Sequence, residues 1–93
     1  VSEARHLVIT GIVQGVGFRF RYAMAAQARL LGVRGWVRNR RDGTVEAMIA
    51  GDAGSIAEML AWSRLGPAGA VVDNVAVAAG SGDYTDFEFL PTA

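Results

Sequence analysis

"GWVRNRRDGTVEAMIAG", residues 35–51, decides how the rest of the chain must be arranged. Asp42-Gly43 at its centre is the dipeptide that best supports positive φ at both central positions of a tight turn. After it, Val45, Ala47 and Ile49 alternate with Thr44, Glu46 and Met48, the period of a strand buried on one face. Before it, Gly35 to Arg41 supplies the partner arm. The stretch is therefore expected to form an antiparallel hairpin hinged at Asp42-Gly43.

Upstream, Phe18 to Leu31 is rich in alanine and other good helix formers, with Phe18, Tyr22, Ala26 and Leu30 at helical spacing and Gly32 as the stop. Ahead of that helix, His6 to Val13 reads as a strand, with Leu7, Ile9 and Gly11 on one face and Val8, Thr10 and Ile12 on the other. Both faces are largely apolar, which suits a central strand. Downstream, Ile56, Met59, Leu60 and Ser63 mark a second amphipathic helix. Ser55 and Glu58 are spaced as a capping box, Asp52 offers an alternative cap a turn earlier, and Gly66-Pro67 ends the helix. Val71 to Ala79 comes next as a fourth strand, and Phe87 to Phe89 as a short fifth after the turn residues "GSGD" at 80–83.

The order is βαββαβ plus a terminal strand. It predicts one α+β domain over residues 1–93, a ferredoxin-like sandwich in which two helices cover one face of a four-stranded antiparallel sheet, with a short C-terminal strand added. A hydrophobic content of 52% in 93 residues is ample for one core, and the chain is too short for two domains. That fold hosts unrelated functions, so the site has to decide what the protein does.

Composition removes several chemistries. There is no cysteine, which excludes disulfides, thiolate metal sites and cysteine nucleophiles and suits a reducing compartment. No apolar run approaches the roughly 20 residues that span a bilayer, and "VSEARHLVIT" lacks the layout of a signal peptide. A cytoplasmic location with no membrane partner is the default expectation. The formal net charge is zero, yet eight of the nine cations lie in residues 1–41 against the single carboxylate of Glu3. Every cation is arginine, whose planar fork matches phosphate or carboxylate in bidentate fashion. Codon bias toward arginine accounts for the composition equally well.

"VQGVGFRFR", residues 13–21, lies between the first strand and the first helix. A dinucleotide fingerprint needs glycine or alanine where Phe20 stands, and a Walker loop needs lysine, so both nucleotide readings fail. Gly15 and Gly17 free the backbone for unusual angles and close approach of a ligand. Successive N–H groups can then converge on an anion, aided by the positive end of the adjoining helix. Arg19 and Arg21 in the first turn oppose that dipole, and no carboxylate stands between Glu3 and Asp42 to offset them. A bound oxyanion would reverse the conflict. From these residues alone, a glycine turn with two solvated arginines stands level with an anion site.

The paired motifs "GIVQGVGFR", residues 11–19, and "GVRGWVRNRRDGTVE", residues 32–46, closely resemble those of the acylphosphatase family, and the likeness runs over nearly the whole chain. The resemblance implies hydrolysis of the carboxyl-phosphate bond of acyl phosphates, with no metal and no cofactor. Carried over position by position, it makes Arg19 the phosphate-binding arginine, Asn39 the residue that holds the attacking water, and the backbone of Gln14, Gly15, Val16, Gly17 and Phe18 the phosphate cradle. Inorganic phosphate or sulfate are the ions expected to occupy that loop, and a monomer is expected.

The interval from Arg19 to Asn39 is 20 residues, two more than the resemblance implies. Counting forward from the loop selects Arg19, and counting back from "LLGVRGWVRN" selects Arg21. Two residues inserted within a helix rotate the remainder of it by about 200°, so they must be absorbed at its start, in a bulge or in its exit. Arg19 is assigned because the cradle must be contiguous with its arginine, with Arg21 as auxiliary or substitute.

Other residues have quieter readings. His6 packs or hydrogen-bonds near a strand end, Trp36, Trp62 and Tyr22 pack, and Asp83, Asp86 and Glu88 form a solvated surface rather than a calcium loop. A second functional class is a non-catalytic module that binds acyl or carbamoyl phosphate within a larger system. A third is RNA binding, evoked by "RGWVRNR" at 34–40, but the aromatics that strand would need are missing and no nucleic-acid partner is expected.

Overall fold

The structure, a computed structural model, describes residues 2–14 and 20–93. The elements run β1 (Ser2–Ile12), α1 (Phe20–Leu31), β2 (Arg34–Asn39), β3 (Val45–Asp52), α2 (Ala53–Leu65), β4 (Val71–Ala79) and β5 (Phe87–Phe89). The five strands form one sheet in the order β4-β1-β3-β2-β5. β1 lies between β4 and β3 and is antiparallel to both, and β3 is antiparallel to β2. This is the ferredoxin-like α+β arrangement. The C-terminal strand joins the same sheet, parallel to β2 at its edge, so the sheet is mixed.

Alternate residues of the central strands build the core. Leu7 and Ile9 of β1, Val37 of β2 and Val45, Ala47 and Ile49 of β3 are all fully buried under the helices. Each such aliphatic side chain larger than alanine contributes about 1.5–3 kcal/mol on burial. From α2, Ile56 and Met59 close the same core, and Trp62 packs on its margin with its ring centroid 5.3 Å from that of Phe20.

Helix α1 faces the core with a different stripe from the one its spacing suggests. Phe20, Met24, Ala25 and Ala28 are buried, whereas Tyr22 is 57% and Leu30 79% exposed. The two stripes differ by two residues, about 200° around the helix. Both have i, i+4 apolar spacing, because an alanine-rich helix carries apolar residues all round. The helix then closes with Val33 N–H donating to Ala28 O at 2.7 Å and Gly32 N–H to Arg29 O at 3.3 Å, the paired bonds of a Schellman ending.

The hairpin forms as expected, but its turn is not a two-residue one. Arg40 N–H donates to Thr44 O at 2.9 Å, and Gly43 N–H to Arg40 O at 3.1 Å, leaving three residues in the loop. Only Gly43 has positive φ, at 92°. Asp42 keeps a negative φ and turns its Oδ1 onto the Thr44 N–H at 3.0 Å and the Thr44 hydroxyl at 2.6 Å. That local bonding favours a type I turn followed by a left-handed glycine. For α2, the earlier cap prevails: Asp52 Oδ1 accepts from Ser55 N–H at 2.9 Å, and the Ser55 hydroxyl is engaged by Asp52 Oδ2 and Leu31 O, both at 3.1 Å.

Trp36 lies on the sheet face opposite the helices, by alternation with buried Gly35 and Val37. There the Arg38 guanidinium sits 5.0 Å from the Trp36 ring centroid and His6 meets the ring edge-on at 6.4 Å. Glu46 joins this group, with Oε1 2.6 Å from Arg38 Nε and Oε2 2.7 Å from His6 Nε2. His6 is thus a mid-strand residue linking β1 to β3.

Candidate active site

The topology brings the chemistry-bearing segments to one end of the sheet. β1 and β2 run in the same direction, both antiparallel to β3, and α1 returns between them. The end of β1, the start of α1, the end of β2 and the hairpin loop therefore meet there. Of the expected cradle and phosphate-binding residues, Gly15, Val16, Gly17, Phe18 and Arg19 lie outside the described residues. Their flanks are anchored: Val13 and Phe20 are both buried in the core.

Gln14 is tied to the hairpin. Its Nε2 donates to Arg40 O at 2.8 Å and to Thr44 O at 2.5 Å. One carboxamide thus satisfies two loop carbonyls and sets the start of the 14–18 segment beside the residue directly after Asn39. Nothing in the spacing signals this role, because the partners are 26 and 30 residues away.

Asn39 is the last residue of β2 and is half-buried. Its main chain is held on both sides, paired with Val45 of β3 and accepting from Ala93 N–H at 3.0 Å. It shares its strand face with Val37 and Gly35, both buried, so it belongs to the helix side of the sheet. Its carboxamide makes no hydrogen bond to any described residue. A neutral group that both donates and accepts can orient water without titrating.

Arg21 is the second residue of α1, and the first turn of that helix holds no acidic residue. Its guanidinium lies 5.8 Å from the Tyr22 ring centroid, and Tyr22 in turn meets the Phe89 ring at 5.1 Å. The helix is continuous from Phe20 to Leu31 and its exit turn is tight.

The acylphosphatase family model matches residues 5–89. The chain belongs to the acylphosphatase family. It is 48% identical over 82 residues to an acylphosphatase of Albidiferax ferrireducens, covering 88% of this chain and 87% of that one. An acylphosphatase of Nitrobacter hamburgensis is 58% identical over 71 residues, covering 76% of this chain and 70% of its own. Among solved structures, an acylphosphatase from Coxiella burnetii superposes with a TM-score of 0.89 at 34% identity, over 96% of this chain and 93% of that one. Full-length HypF, in its phosphate- and nucleotide-bound form, matches with a TM-score of 0.87 at 27% identity, over 99% of this chain but 12% of its own. The family match and the named relatives make this protein an acylphosphatase hydrolase. No described helix is long and apolar enough to cross a membrane.

Proposed function

We propose that this acylphosphatase cleaves small acyl phosphates by metal-independent, in-line attack of a water oriented by Asn39. The phosphoryl group is held by Arg19 and the main-chain amides of residues 14–18, with Arg21 as a second guanidinium at the helix start. The water oxygen bonds to phosphorus as the bond from phosphorus to the acyl oxygen breaks. The products are a carboxylate and dihydrogen phosphate, with both water protons carried by the phosphate. A carboxylate is a good leaving group near neutral pH and needs no general acid. What remains is to gather charge and aim the water, the positioning and electrostatic strategy of phosphoryl transfer.

The observation that carries this reading is the Gln14 tether. It sets the start of the glycine segment against the hairpin directly after Asn39, so a phosphate held by that segment has Asn39 as a neighbour. Hydrolysis of acetyl and benzoyl phosphate in EDTA tests it, beside the Asn39→Ala variant. Turnover is expected to persist in EDTA and to fall about 100-fold in the variant, the scale of a misplaced reactant. Full activity without Asn39 would remove the water-holding role.

A second reading has one observation in its favour. The HypF match shows this fold within a chain about eight times longer, of which the matched part is 12%. On that reading the domain would bind acyl or carbamoyl phosphate without hydrolysing it. Carbamoyl phosphate binding without turnover would distinguish it.

A further inference from the structure

The chain leaves β4 at one edge of the sheet and enters β5 at the other, so residues 80–86 must cross β1, β3 and β2. Both ends of this crossing are fastened. Gly80 N–H donates to Ala4 O at 3.0 Å, and Asp86 O accepts from Gly35 N–H at 2.9 Å. Beneath it one row runs across the strands: Arg34 of β2 pairs with Ala50 of β3, Ala50 with Ala4 of β1, and Ala4 meets Gly80. By alternation with buried Gly35 and Ile49, the row belongs to the sheet face away from the helices. Three of its four residues carry a methyl group or no side chain, which leaves a pocket of about 380 Å³ under the crossing. That volume is in the lower range of small-molecule sites. Gly82, Asp83 and Tyr84 complete its wall, with the Tyr84 hydroxyl donating to Ser81 O at 2.9 Å.

Arg34 is the one cation lining this pocket, and its charge is unspent. Its Nε is buried without a hydrogen-bond partner, and its guanidinium makes no ion pair, among the described residues. Glu3, also in the wall, is by contrast engaged by Arg5, with Oε1 2.7 Å from Nη2. A buried donor left without an acceptor is costly, and the planar fork of arginine matches a carboxylate in bidentate fashion. Asp83 is exposed at the rim and has no ion pair with a described residue. Its charge tolerates a monoanion on Arg34 and opposes a dianion. We propose that this pocket is a second, non-catalytic ligand site in which Arg34 binds the carboxylate of a small monocarboxylic acid. Arg34 and Asn39 open and close β2, which at the rise of a strand sets them about 17 Å apart. The pocket stands whether or not Asn39 orients a water.

The amide NMR spectrum of the isotope-labelled protein, recorded above neutral pH during titration with sodium benzoate, tests it. Saturable shifts are expected at Ala4, Ala50 and Gly82, with sodium chloride as the ionic-strength control. Arg34→Gln should weaken the affinity at least about tenfold. Phenylphosphonate, a dianion with the same ring, should bind there about fivefold or more weakly than benzoate, and Asp83→Asn should narrow that gap. Arg34→Gln should hydrolyse benzoyl phosphate within about twofold of native, as expected of distant sites. Should it not fold, Arg34→Met, which keeps the packing of the aliphatic stem, makes the same comparison. Absent shifts at those amides, or an affinity unchanged in the Arg34 variant, overturn the site. Equal affinities for benzoate and phenylphosphonate overturn its selection of monoanions, and a larger loss of turnover overturns its separation from the hydrolytic residues.

Discussion

Gln14 and Arg40 are joined by a 2.8 Å hydrogen bond from the side-chain amide of one to the main-chain oxygen of the other. The same amide nitrogen also reaches Thr44 O. This contact couples the end of β1 to the hairpin on the far side of β3. Gln14→Ala removes a second donor from each of these carbonyls, which keep their main-chain bonds from Gly43 N–H and Arg40 N–H, so it should cost about 0.5–1.5 kcal/mol. It should also release the start of the cradle, lowering kcat/KM for benzoyl phosphate by about tenfold or more, since small misplacements are costly in phosphoryl transfer. Urea unfolding and steady-state kinetics check the two effects separately.

Arg19→Gln and Arg21→Gln divide the phosphate-binding role. Removing Arg19 should lower kcat/KM by about 100- to 1,000-fold, the scale of one electrostatic donor to a transition state. Removing Arg21 should cost about tenfold. Should Arg21→Gln prove the more damaging, the guanidinium that meets the phosphate is the helical one.

The rotated face of α1 has a direct signature in stability. Phe20 is fully buried against Trp62, so Phe20→Ala should cost about 3–5 kcal/mol. Tyr22→Ala, at a position 57% exposed, should cost less than about 1 kcal/mol. Denaturant midpoints in the reverse order would contradict the helix phase.

Acid sensitivity should trace to Glu46. Burial pushes its pKa up, but hydrogen bonds from His6 and Arg38, reinforced by their charges, outweigh burial and hold it below the ordinary glutamate value. A depressed folded pKa stabilises the protein above the unfolded value, and that contribution disappears as pH falls through the folded one. Glu46→Gln should therefore lose about 1–3 kcal/mol at pH 7, with the native and variant stability curves converging below about pH 4. Chemical denaturation across pH 3 to 7 measures it.

Gly35 should tolerate no side chain. Its φ is 137°, and a Cβ there would collide with the main-chain oxygen of Met48. Gly35→Ala should cost about 3 kcal/mol or more by forcing β2 away from β3. Little or no change in the thermal midpoint would show that the strands can part locally.

Much of the fold was legible from local pattern. The alternation of Val45, Ala47 and Ile49 correctly placed β3, and the five strands and two helices follow in the expected order, although β1 starts at Ser2, four residues ahead of His6, and β2 ends at Asn39 rather than Arg41. These signals are short-range, and each depends on residues within one element. The face that α1 buries was not legible. Phe20, Met24 and Ala28 have the same spacing as Tyr22, Ala26 and Leu30, and only the neighbours contributed by α2 and the sheet choose between them. Nor was the hairpin's turn type, since Asp42 preferred its own bonds to Thr44 over the positive φ that its pairing with Gly43 suggested.

For the site, residue types and spacing named Asn39, the arginines and the glycine segment, because that chemistry needs particular side chains at particular positions in the chain. What spacing could not convey was that Gln14 meets Arg40 and Thr44, that Glu46 is shared between His6 and Arg38, or that Arg34 is left without a partner among the described residues at the end of a row of small residues. Each of these depends on strands distant in sequence being brought into one sheet register. A one-residue slip in that register would turn Glu46 to the opposite face from His6 and Arg38.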